Sequence, residues 1–170
     1  MSDELSEDFA PDALEAAGAL RQYQDPGYIW PTNPRTVAAL EQWRDHKVGV
    51  IIHWGIFSHI GQDGSWSLHR QHLGGFTDPP EDWKGSDEEY HSWYCDQARS
   101  FTGDDFNAEE WACACADAGM RYVVFTTKHH DGYAMYDTDF SNFKSTSEES
   151  GLGRDIVREI FDAFRAHDME

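Results

Sequence analysis

Cysteine is too scarce here to build a covalent framework. The three present, Cys95, Cys113 and Cys115, are an odd number and lack zinc-ligand spacing. Cys113 and Cys115 stand two apart in a predicted helix, so they face different sides. A reducing compartment suits such a set. Positive charge is scarce too: 13 basic residues, only four of them lysine, stand against 32 acidic ones, for a formal charge of −19. That balance repels nucleic acid and anionic membranes and excludes both as expected partners. It describes a solvated acidic surface or an adaptation to high salt, where screening relieves self-repulsion. Long apolar runs are missing as well. The opening "MSDELSEDFAPDALEAAGAL" is acidic, with no basic start and no apolar core, so we read neither signal peptide nor membrane span and expect a cytoplasmic location. There is no internal repeat, P-loop or GxGxxG fingerprint. "GQDGSWS" has two glycines but lacks the lysine and the helix onset of a phosphate cradle.

What is present is a globular composition. In 170 residues, 39% are apolar and 14% aromatic, enough for one ordinary domain, and the seven tryptophans suit a packed interior or a site that stacks on flat ligands. Residues 1–32 read as an acidic, weakly ordered leader with a helical turn over 12–20. A helix is predicted from "NPRTVAALEQWRDHK": Asn33 caps it, Pro34 suits its first position, and Val37, Leu40 and Trp43 form a stripe. "VGVIIHWGIF", residues 48–57, predicts a strand buried on both faces. Residues 58–106 form a long irregular stretch with a short helix over about 88–100. Its aromatic residues argue against disorder, and loops of this length inside a domain are often functional. Asn107 then caps a helix that Gly119 closes, a strand spans residues 121–129, and "RDIVREIFDAFRAHD" gives a helix with one apolar face. Alternating strands and helices imply an α/β fold with a parallel sheet.

Ligands of parallel α/β folds bind at the carboxyl ends of the strands. The two predicted strand ends carry His53 in "HWG" and His129 and His130 in "KHHDG". Three histidines at one rim indicate a site. Imidazole serves as acid, base, metal ligand or neutral hydrogen-bond partner. No His-x-His occurs, and adjacent histidines on a strand point to opposite faces, which disfavours chelation by His129 and His130 together unless the chain turns there. His69 and His72 in "HRQH" have helix-like spacing but lie in a polar loop. Hydrogen bonding to a polyhydroxylated ligand needs no chelate geometry, and Trp66 suits it by stacking on a sugar face. Asp131 before Gly132 reads as a turn residue, with a catalytic carboxylate as the alternative. Trp111 reads as core. Lys128 reads as buried and paired with a carboxylate, structural or functional in role.

From Trp43 onward the sequence resembles the α-L-fucosidases of glycoside hydrolase family 29. "WRDHKVGVIIHWGIFS", "FNAEEWACACADAGMRYVVFTTKHHDGYAMYDT" and "RDIVREIFDAFRAH" carry the likeness, and the pairing of HWG with KHHDG is specific. The resemblance implies that residues 33–170 are the N-terminal part, about two βα units, of a (β/α)₈ TIM-like barrel. It implies retaining hydrolysis of terminal α-L-fucose from a fucosylated glycan or glycoside, with no cofactor and no metal. His53, His129 and His130 would bond the fucose hydroxyls and Trp66 would line the pocket. The family usually has Glu where this chain has Ser65. Retaining glycosidases need two carboxylates, which in this family come from later strands, so no catalytic residue is expected up to Glu170. Glu81, Asp131 and Asp137 are not promoted in their place. The chain alone is expected to be inactive without a downstream complement. The alternatives are a non-catalytic fucose-binding fragment and a metal-dependent TIM-barrel hydrolase.

Overall fold

The computed structural model describes residue 29, residues 31–69 and residues 83–170. The expected helical turn over 12–20, and His72, lie outside these residues. The described residues up to Trp43 and those from Arg44 on fall into two units. Asn33 caps helix α1 (Pro34–His46): its side-chain oxygen accepts from the Arg35 N–H at 2.9 Å. Val37 and Leu40 are half-buried, whereas Trp43 is exposed.

The second unit is built on two parallel strands, β1 (Val50–Ile52) and β2 (Val123–Phe125), with Val50 opposite Val123, Ile51 opposite Val124 and Ile52 opposite Phe125. Both strands are shorter than the apolar runs predict. In the first, the chain leaves β1 at His53 and turns at Gly55 into the short helix α2 (Ile56–His59). Burial on both faces is also corrected. Val50, Ile52, Val123 and Phe125 pack on the core, while Ile51 and Val124 are 66% and 49% exposed. Alternation along a strand sends neighbours to opposite faces, and helices cover only one of them.

The long stretch after β1 is ordered where it is described. A 3₁₀ turn (Ser65–His69) precedes helix α3 (Asp87–Asp96), which Ser86 opens with a reciprocal capping box to Glu89. Helix α4 (Ala108–Asp117) starts at Asn107, whose side chain accepts from the backbone N–H groups of Glu109 and Glu110. It is closed near Gly119, whose φ of 79° is a left-handed value that glycine adopts without a Cβ clash. Asp155 caps helix α5 (Ile156–Ala166), which buries Ile156, Ile160 and Phe164 one turn apart against α4 and the sheet. Trp54, just past β1, stacks on Phe106 at 4.8 Å and meets Trp111 edge-on, so Trp111 belongs to the core edge as expected.

After α5 the backbone returns to the free edge of β2. Glu170 donates its N–H to the Arg121 carbonyl at 3.0 Å and accepts from the Val123 N–H at 2.7 Å. One residue bonding to two that flank a third is the parallel ladder pattern. The connection β2–α5–Glu170 therefore repeats the order of β1–α4–β2.

Candidate functional site

The site follows from where the ladder stops. β1 ends at Ile52, so His53 is the next residue out. β2 ends at Phe125, with Lys128 bridged to Ala134 and a turn beginning at His130. Asp131 holds that turn. Its Oδ1 accepts from the Tyr133 N–H at 2.9 Å and its Oδ2 from the Tyr94 hydroxyl at 2.7 Å. Gly132, at φ 83°, completes the turn with its N–H on the His129 carbonyl. This is the turn role read from the Asp-Gly pair. Burial first, and the Asp131 charge second, push the Tyr94 hydroxyl pKa far upward, so it stays a donor.

Because the chain turns there, His129 and His130 do not splay to opposite faces. Their rings are 4.7 Å apart and both line one cavity of about 670 Å³ with His53, Asp63, Trp66, Thr126 and Lys128. His53 lies 6.0 Å from His129, nearly perpendicular to it, and Trp66 lies 4.1 Å from His130. All four residues singled out from the sequence are thus brought together. Lys128 is exposed on this rim, not buried against a carboxylate as expected. A buried ammonium would need a close anionic partner. No group of three metal-ligating side chains occurs among the described residues. His69 closes the 3₁₀ turn.

His129 is the most constrained member. Phe57 packs 4.8 Å from its ring, and Nδ1 lies 2.6 Å from Ser65 Oγ and 3.3 Å from the Ser65 backbone nitrogen. Burial lowers its pKa below the ordinary 6.5, and His130 pushes the same way; Asp131 pulls against them, and His53 adds a smaller push downward. The ring is neutral near pH 7. Behind Trp66, three side chains close a triangle: Gln62 Nε2 donates to the Tyr90 hydroxyl (3.0 Å), which donates to Ser67 Oγ (2.9 Å), which donates to Gln62 Oε1 (2.8 Å). This ties the 3₁₀ turn to α3.

A sequence profile described as alpha-L-fucosidase matches residues 16–170 of this chain. The chain belongs to the alpha-L-fucosidase family. Human tissue alpha-L-fucosidase is 34% identical over 161 residues, covering 92% of this chain and 34% of the relative. Among solved structures, alpha-L-fucosidase isoenzyme 1 of Paenibacillus thiaminolyticus is 35% identical with a TM-score of 0.58, over 76% of this chain and 26% of that one. Alpha-L-fucosidase AlfC of Lactobacillus casei, in complex with alpha-L-fucose product, gives 26% and 0.59, over 77% and 38%. The chain spans about a third of the length of the curated relatives it matches.

Sequence reading of this family member missed Asp63, Thr126 and the contact of Ser65 with His129. Asp63 sits in "GQDGS", a glycine-flanked turn whose direction depends on tertiary packing. The signal for Ser65 was its adjacency to Trp66, but burial to 0% exposure is legible only in the fold.

Proposed function

We propose that this chain supplies the fucose-binding portion of a retaining alpha-L-fucosidase catalytic barrel. The observation that carries the reading is the cavity: three imidazoles and an exposed indole face, with a single carboxylate, Asp63, among the described residues lining it. Imidazoles supply hydrogen bonds to sugar hydroxyls, and the Trp66 ring supplies a surface for the C–H face of a pyranose. Double displacement requires a nucleophile and an acid/base about 5–5.5 Å apart. One carboxylate provides neither arrangement, so bond cleavage is assigned to residues other than these. In the intact reaction one carboxylate attacks the anomeric carbon as a second carboxyl protonates the departing glycosidic oxygen, so a glycosyl-enzyme forms and the aglycone leaves as an alcohol; the second group then takes a proton from water, which displaces the nucleophile and releases fucose with retention. The neutral His129 would bind more tightly as the ring flattens, stabilising the transition state rather than moving a proton.

Two features support the barrel. Val50, Ile52, Val123 and Phe125 face the helical layer, while Ile51 and Val124 face away, as residues filling a barrel interior do. Glu170 extends the ladder in chain order on the far side of β2.

Calorimetric titration of the chain with L-fucose tests the binding role, with D-fucose as the control. We expect selective binding of L-fucose, weakened about tenfold in Trp66→Ala by loss of ring contact. No release of chromophore is expected from an aryl α-L-fucoside. Turnover by this chain alone would overturn the division of labour, and equal affinity for both sugars would overturn the site.

A further inference from the structure

Ser65 has no exposed surface, and both of its hydrogen-bonding groups that can donate converge on one atom, His129 Nδ1. The backbone N–H offers only a hydrogen. Nδ1 must therefore offer its lone pair, and the hydroxyl at 2.6 Å adds a second donor to the same nitrogen. A neutral imidazole carries one proton, which these contacts leave on Nε2. Phe57 packs against the ring and restricts its rotation, while His53, His130 and Asp131 are the titratable neighbours acting on it. The ring lines the cavity with Nε2–H as its remaining polar group.

We propose that Ser65 is a positioning residue that locks His129 in the Nε2-protonated form, so that His129 meets its ligand as a hydrogen-bond donor. The identity of that ligand as L-fucose rests on the preceding reading; the lock itself does not. The sense of the bond has a consequence for recognition. The sugar hydroxyl beside His129 accepts, leaving its own proton free for a carboxylate such as Asp63.

Nitrogen-15 spectra of histidine-labelled chain, recorded with the ring neutral and with His129 assigned by its absence in His129→Gln, test the lock. The expected result is a lone-pair signal for Nδ1 and a protonated signal for Nε2. In Ser65→Ala only the longer backbone contact remains. That N–H still favours a lone pair on Nδ1, so the Nδ1 signal should move only part-way towards the protonated range, and L-fucose affinity should fall about five- to tenfold. A protonated Nδ1 in the unsubstituted chain, or unchanged signals in Ser65→Ala, would overturn the proposal. The expected spectra in a chain that does not bind L-fucose would support the lock and overturn the fucose reading instead.

Discussion

His129 joins the site to the stability of the fold. Its folded pKa lies below the ordinary 6.5, so the unfolded chain takes up a proton first as the solution is acidified. Stability from this residue is therefore full above the unfolded pKa. It falls as pH drops towards the folded pKa and levels off below it. Protonation also places a hydrogen on Nδ1, facing two donors of Ser65. Urea unfolding at about pH 7.5 and about pH 5.5 should show the unsubstituted chain losing more stability on acidification than His129→Gln. A smaller loss would contradict the assigned direction of the shift. Asp131 shows a different division of work. Both of its oxygens are engaged by Tyr133 and Tyr94, so its contribution is to the shape of the turn that brings His130 alongside His129.

At the scale of elements, helix boundaries were legible in the sequence because caps are local chemistry. Asn33, Asn107 and the apolar face of α5 each depend on residues within a turn or two. Asn107→Ala removes the acceptor for two N–H groups of α4 and should cost about 1 kcal/mol in urea unfolding, without changing the helix register. No loss would mean that water satisfies those groups equally well. The rim of histidines was also legible, because strand ends are marked by where β-branched runs stop. Strand burial was not. "VGVIIHWGIF" has the composition of a doubly covered strand, yet which faces are covered depends on elements distant in sequence. The facing of His129 and His130 depended on whether the chain turns there, which the sequence left open: period-two alternation holds only while the ladder lasts, and here it ends at Phe125.

At the scale of the whole molecule, 32 carboxylates oppose 13 basic groups. Ion pairs at the surface, such as Arg99 with Glu149 and Lys144 with Asp137, offset little of that repulsion. Raising NaCl from about 0.1 M to about 1 M shortens the screening length from roughly 10 Å to roughly 3 Å. The thermal midpoint should rise with added NaCl. A midpoint that falls would mean that attractive pairs outweigh the net charge. The same charge opposes the association that the apolar sheet face at Ile51 and Val124 would otherwise favour.

The triangle of Gln62, Tyr90 and Ser67 has a handedness of its own. Each member gives a hydrogen to the next in the same rotational sense, so the three dipoles run head to tail around a closed, homodromic circuit. Polarisation at one bond strengthens the next, and a circuit has no end at which that reinforcement stops. Tyr90→Phe would break two of the three links at once and free Ser67 to reorient. The turn that presents Trp66 is thus held to α3 through the Tyr90 hydroxyl, and without it the Ser67–Gln62 bond remains within the turn alone.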